Sequence, residues 1–186
     1  MLGLGLFGSI TVAVTPWFSK RIGKRNTMMV GWLVSITGQL VMWVGAKVQN
    51  VPIIIAANII VNLGLGFISG LIAVMLADAV DYGEWKNGVR AEGIVTSFSS
   101  FSAKLGMGIG GVITGWILSA TGYVANQTQT AGALHGIELN YIWVPLLGFA
   151  LSGIALLFYH VDGIEGKMQS DLAEKHAREN AEDDDD

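Results

Sequence analysis

Ala77–Gly93 reads ADAVDYGEWKNGVRAEG. Its charges, Asp78, Asp81, Glu84, Lys86, Arg90 and Glu92, stand between two segments too apolar to be stable in water, Pro52–Leu76 and Ile94–Ala120. A concentrated polar break between long apolar runs is the mark of a hinge between membrane spans. The rest of the chain follows this pattern. Hydrophobic residues make up 52% of it and charged residues only 14%, against about a quarter charged in a soluble domain. With no cysteine, disulfides, thiolate nucleophiles and thiolate metal sites are excluded. The formal charge of −4 is matched by the terminal aspartates Asp183–Asp186 alone, and nothing in the composition points to nucleic acid.

Working outward, the hydropathy predicts an all-α integral membrane protein with spans at about 2–16, 27–46, 52–76, 94–120 and 141–160. These form a transmembrane region over 1–162, followed by a charged tail over 163–186. The first apolar run, Leu2–Thr15, would extend only about 21 Å as a helix, short of the roughly 30 Å hydrocarbon core. Its positive charges follow the run, where a signal peptide would have them before it. At least one preceding span is therefore expected. Pro52 suits the first turn of the third span, and Gly122–Asn140 reads as a polar loop without Lys or Arg.

Lys and Arg near span ends resist translocation. Lys20, Arg21, Lys24 and Arg25 follow the first span, Lys86 and Arg90 lie in the hinge, and Lys167, Lys175 and Arg178 lie in the tail. The alternate loops hold only Lys47. The basic segments are accordingly assigned to the cytoplasm, with the C-terminus inside.

Lys104 is the sharpest chemical signal. It lies about ten residues into its span, roughly 15 Å from the start, too deep for easy snorkelling. An ammonium at that depth costs at least about 2.5–3.5 kcal/mol, and the five spans hold no Asp or Glu. Its compensation is a partner outside the chain, water or a polar ligand, or alternatively backbone carbonyls in a structural role. Ser100, one turn earlier, shares its face, with Phe101, Ser97 and Thr96 nearby. Such residues fit a polyhydroxylated ligand or ordinary interhelical bonding. Asn58 and Asn62 are four apart and open to the same two readings. Gly106 with Gly110, and Gly111 with Gly115, make small-residue stripes for close helix approach. In the hinge, Asp78 and Asp81 share a face if the helix continues, and Arg90 can fold back to them or to Glu84. Weak, exposed pairs of this kind are either incidental or a gate that closes in one conformation and opens in another. His135, His160 and His176 do not form a metal site.

Two motifs, DYGEWKNGVRAEG at Asp81–Gly93 and PWFSKRIGKRN at Pro16–Asn26, together with a lysine in the helix after the hinge, resemble the glycoside–pentoside–hexuronide:cation symporters. This is the melibiose-permease group of the major facilitator superfamily. The resemblance runs from the first residue to about Leu172 and covers helices eight to twelve of that family's twelve-helix fold. It implies that Lys104 matches the helix-eleven lysine associated with sugar binding. It also implies that Asp78 and Arg90 match charged positions of a cytoplasmic ionic lock, with Lys20 and Arg21 as neighbours. The family's cation site, for Na+ or H+, and most of its sugar-binding acids belong to the N-terminal half, outside these residues.

The expectation is thus the C-terminal portion of a sugar:cation symporter in a bacterial cytoplasmic membrane, not active by itself. Its partners are a sugar or glycoside, the bilayer and the missing N-terminal helices, and no cofactor is called for. Lys104, Ser100 and Asn62 are the candidate substrate residues. Asp78, Asp81, Glu84, Arg90, Lys20 and Arg21 are the candidate gate. The rival reading is a truncated, non-transporting membrane interaction module that binds a partner supplying the missing helices. An enzyme is not expected, since no nucleophile and base occur together at a plausible depth.

Overall fold

The computed structural model describes residues 2–159 and 161–183, with side chains described for 7–159 and 162–178. Its regular structure is helical: α1 Leu2–Ile22, α2 Lys24–Lys47, α3 Val51–Asn87, α4 Glu92–Ala120, α5 Ala131–Glu138, a π turn Leu139–Trp143, α6 Val144–Leu157, a 3-10 turn Val161–Gly163 and α7 Glu165–Asp183. Among the described residues four helices are long and apolar enough to cross a bilayer: α2, α3, α4 and the continuous run Ala131–Leu157. The segment expected as the first span is α1, which is not among the four. It continues past Pro16 into the basic residues and ends at Ile22. His160, expected to close the last span, lies outside the described residues.

The polar stretch 77–93 is mostly helix. α3 runs 37 residues, about 55 Å, so its apolar part can cross the membrane while residues 77–87 project as a helical extension. The helix starts where the Asn50 side chain accepts the Ile53 N–H at 3.3 Å, with Pro52 in the first turn. It stops at Gly88, whose φ of 75° needs a residue without Cβ and whose N–H bonds to the Glu84 carbonyl at 2.8 Å. Only residues 88–91 separate α3 from α4, so Asp78, Asp81 and Glu84 occupy successive turns of a rigid rod. The polar loop expected over 122–140 is likewise shorter. Thr130 caps a helix there by accepting the Ala133 N–H at 3.2 Å, and that helix places Glu138 inside Ala131–Leu157.

α3 is the central helix, with α2 antiparallel on one side and α1 parallel on the other. On α2 the buried residues include Gly31, Ser35, Gly38 and Gly45. The absence of side chains lets Gly31 lie against Gly64 and Phe67, Gly38 against Ala57 and Val61, and Gly45 against Ile53 and Ile54. On the other side Gly66 receives Thr11 and Gly70 receives Thr15. Small residues bring backbones close where lipid offers no hydrophobic drive to pack. The stripes singled out on α4 do not serve this purpose here: an added Cβ at Gly106, Gly110, Gly111 or Gly115 meets nothing within 4 Å, and α4 buries no residue.

The π turn has an identifiable cause. Pro145 carries no N–H, so the carbonyls one turn before it lose their donor. An unpaired carbonyl at membrane depth is costly. Gln39 of α2, 3% exposed, supplies the substitute: its side-chain amide donates to the carbonyls of Tyr141 and Ile142, the latter at 3.2 Å. The Trp32 indole N–H donates to the Phe149 carbonyl, and Gly153 leaves room for its ring. Two polar side chains of α2 thus anchor the last span.

Replacing Gly64 by Ala should destabilise the chain in detergent by about 1–3 kcal/mol, because the new Cβ would lie 2.5 Å from the Gly31 carbonyl oxygen and 2.7 Å from the Ser35 nitrogen. Gly83→Ala, where nothing lies within 4 Å, should be neutral or stabilising by up to about 1 kcal/mol. Equal melting temperatures for the two variants would refute the close α2–α3 packing.

Candidate functional site

All three basic segments gather at one end of the bundle, around the α1–α2 junction. α2 opens with Lys24 and Arg25 and has no acid in its first turn, an arrangement that opposes the helix dipole. The missing negative charge comes from elsewhere in the chain. Asp162 accepts the Arg25 N–H at 2.8 Å, capping α2 in place of a local side chain. A Cβ on Gly23 would sit 3.0 Å from that carboxylate, and Gly23 has a φ of 86°, so glycine is required there twice over. In return the Arg25 guanidinium donates to the Leu157 carbonyl at the end of α6, at 3.1 Å.

Beside this exchange lies Asp78, 5% exposed. Both of its oxygens accept from Lys24 Nζ, at 2.8 and 2.7 Å, and the Tyr159 hydroxyl donates to it at 3.2 Å. Burial, followed by the neighbouring Asp78 charge, pushes the Tyr159 phenol well above its ordinary value, so it remains a neutral donor. Lys24 also donates to Glu165 at 2.9 Å, tying the start of α7 to the same centre.

Two turns further along α3, Glu84 is a second buried carboxylate, 5% exposed. Arg90 donates to it at 3.0 Å and to Asp81 at 3.2 Å, and lies 3.5 Å from Glu92. The bond to Glu84, with the Asp81 charge beside it, raises the Arg90 pKa further. On the other side of Glu84 stand His176 at 2.6 Å and Lys175 at 3.7 Å, both from α7. The Trp85 indole donates to Asp171 at 2.9 Å, while Met168 and Leu172 of α7 are buried. The charged tail expected after residue 162 is therefore a helix, and its residues from Glu165 to His176 are docked on the bundle.

Asp81, Glu84 and Arg90 converge as the sequence suggested. Asp78 does not bond to Arg90; its partner is Lys24, because one turn of helix and the Gly88 stop direct Arg90 to the outer turn of α3. Lys20 and Arg21 stay exposed on α1, with Arg21 stacked 4.4 Å above the Trp17 ring. Asn62 donates to the Asn58 carbonyl and side-chain oxygens at 2.8 and 2.9 Å, and Asn58 donates to the Tyr141 hydroxyl at 3.3 Å, so the pair bonds between helices. Lys104 and Ser100 are exposed on α4. Around Lys104, Leu105, Gly108, Ile109, Val112 and Ile113 line an open hollow made by α4 alone.

At the opposite end Glu138 accepts the Trp43 indole N–H at 2.9 Å and pairs with Lys47 at 3.2 Å. This pair lies beside a cavity of about 690 Å³ between the α2–α3 turn and α5.

A helical membrane chain with small-residue packing and a charge cluster at one end has the physical form of part of a carrier. The family of MFS/sugar transport proteins matches residues 1–163, and the chain belongs to this family. It is 67% identical over 181 residues to an isoprimeverose transporter of Lactiplantibacillus pentosus, covering 97% of this chain and 38% of that protein. It is 37% identical over 157 residues to a glucuronide carrier protein homolog of Escherichia coli (strain K12), covering 83% and 34%. An uncharacterized symporter of Bacillus subtilis (strain 168) is 32% identical over 166 residues, covering 88% and 36%. The chain thus spans about a third of the length of these relatives.

Lys24, Tyr159, Glu165 and His176 were absent from the sequence-derived candidates. The signal for Lys24 was available: a base at the first position of a helix with no acid in its first turn needs an anion from elsewhere. No comparable local signal marks Tyr159, Glu165 or His176, whose partners lie between 81 and 141 residues away.

Lys24→Ala should lower stability in detergent by about 2–3 kcal/mol, somewhat short of the roughly 3–5 seen for a fully buried pair, because it leaves the Asp78 carboxylate buried with only the Tyr159 hydroxyl. Lys20→Ala should change it by less than about 0.5 kcal/mol. A Lys24→Met/Asp78→Leu double variant should lose less than the sum of its single changes. Similar melting curves for Lys24→Ala and Lys20→Ala would remove Lys24 from its assigned place.

Proposed function

We propose that the chain supplies the later helices of a sugar:cation symporter that works by alternating access, with Lys104 facing the sugar cavity and the charge cluster around Asp78 and Glu84 serving as the inner gate. The observation that carries this reading is Lys104 itself, an ammonium deep in an apolar helix on a face that the rest of this chain leaves open. A polyhydroxylated ligand and water in a midplane cavity offset the desolvation that makes such a position costly. Ser100 one turn away adds a hydroxyl and Phe101 a flat apolar surface.

In this reading the remaining walls of the cavity and the site for Na+ or H+ come from the first helices of the carrier. The cluster end faces the cytoplasm of a bacterial cell, as the gathering of Lys and Arg there supports. The high identity to an isoprimeverose transporter makes a glycoside the first substrate class to test, with a glucuronide as the comparison. Gating falls to the pairs around Arg90. Its side chain is half exposed, and its pairs with Asp81 and Glu92, which are themselves partly or largely exposed, are weak enough to break and reform in each cycle. The interaction-module reading draws on the same open face of α4, which a partner chain could cover without any transport.

Lys104→Ala in the complete carrier should weaken glycoside binding at least about tenfold, the loss of roughly one charge-assisted hydrogen bond, while leaving membrane expression unchanged. Equal binding by the variant and the parent would sink the role of Lys104. Liposomes containing only the 186-residue chain should not accumulate sugar, and accumulation would overturn the two-part cavity. Co-purification of the chain with a helical partner, with no dependence of transport on Lys104, would favour the interaction module.

A further inference from the structure

α7 brings charge to the proposed gate from outside the spans, and this inference rests on reading the Asp78–Glu84 cluster as that gate. We propose that α7 is a pH-sensitive latch on the cluster, with the His176 imidazole as the titrating clasp on Glu84. Two kinds of contact hold the helix. Met168, fully buried, and Leu172, 7% exposed, anchor its first half by apolar contact that does not change with proton concentration, and Glu165 adds its bond to Lys24. The second half is held mainly by charge, through Lys175 and His176 against Glu84.

The charged groups facing this contact come from three elements. Glu84 and Asp81 lie on α3, Arg90 lies on the connector after it, and Glu92 begins α4. Lys175 stands next to His176 on α7, and Asp171 one turn earlier is taken up by the Trp85 indole. Histidine is the side-chain type in this set that in general gains and loses charge near neutral pH, and the His176 ring lies 2.6 Å from the Glu84 carboxylate. As imidazolium it donates a charge-assisted bond to a carboxylate that is almost wholly buried. As neutral imidazole it can still donate, but the bond loses about half its strength. Docking of the second half of α7 therefore tightens as pH falls and loosens as pH rises. Acidification of the compartment on that side strengthens the closed gate, and alkaline conditions leave Glu84 to its pairs with Arg90 and Lys175.

The chain has no cysteine, so Ala173→Cys on the exposed side of α7 gives a unique position for a spin label. In proteoliposomes the ratio of mobile to immobilised label should rise about fivefold between about pH 5 and pH 8. Adding His176→Gln should hold the ratio at its alkaline value throughout, and adding His176→Arg should hold it at its acidic value. A label ratio that does not respond to pH in the parent, or a pH response that survives in His176→Gln, would overturn the latch. The readout reports docking alone. A failed latch leaves the sugar-binding test of Lys104 standing, and a failed sugar-binding test leaves the label response to be judged independently.

Discussion

A carboxylate that is 5% exposed and lies toward the C-terminal end of the longest helix is the constraint the rest of this structure is built to satisfy. Asp78 cannot remain charged in that position without cations and donors. None is available on α3 nearby, since the neighbouring turns carry Asp81 and Glu84. Its partners therefore come from three other places in the chain: Lys24 from the α1–α2 junction, Tyr159 from the end of the last span, and, through Lys24, Glu165 from the tail. Each has to be brought in by a local device. Gly23 breaks the chain sharply enough to put Lys24 at the first position of α2. Asp162 caps that helix from across the bundle, and Arg25 returns the favour to α6. The capping contacts and the Asp78 pair thus reinforce one another, because each fixes the junction the other needs.

The two acid clusters differ in a way that matters for movement. Around Asp78 both partners are largely buried, and separating them exposes charge to a poor solvent. Around Arg90 the guanidinium is half in water and shared between the buried Glu84 and the more exposed Asp81 and Glu92, so exchange between the last two costs little, and Glu84 keeps Lys175 and His176 beside it when Arg90 leaves. A gate needs both kinds of contact. In the proposed gate the first would keep α2, α3 and the tail moving as one body, and the second would let the α3–α4 connector part from that body and return.

Much of the fold was legible in the sequence because the membrane imposes one rule over long stretches. Apolar runs of about twenty residues, bounded by charge, mark the spans regardless of tertiary detail. The misread places are those where that rule is silent. Residues 77–87 are polar yet remain helical, since a helix does not need lipid to continue and nothing before Gly88 stops it. Ala131–Asn140 is helical although it reads as a loop, because Thr130 caps it and the π turn carries it past Pro145 only with help from Gln39, a residue about a hundred positions away. The glycines of α4 and of α2 carry the same local signal. Only the partner decides which of them pack: α3 lies against Gly31, Gly38 and Gly45, while the glycines of α4 meet no such neighbour among the described residues. At the site, Asp81, Glu84 and Arg90 were readable because they are close in sequence. Lys24 was readable only through the physics of a helix end, and His176 was not readable at all.

The position of Arg90 links the two parts of the proposed mechanism. α4 buries no residue, and its described ties to the bundle sit near its ends. At one end the connector is held through Arg90. At the other, Asn140 of the π turn donates to the Thr114 carbonyl at 3.2 Å, and Thr121 seats against Gly136. The middle of the helix, with Ser100 and Lys104, is free between these two points. Lys104 lies twelve residues after Glu92, about 18 Å along a rigid helix. A helix fixed at its far end and released at its near end pivots, and Lys104 moves with it. In the proposed mechanism, breaking the Arg90 pairs would therefore both free the near end of α4 and reorient the lysine proposed to hold the sugar. No separate pathway is needed to couple gate and site, because both belong to the same rod and its first turn.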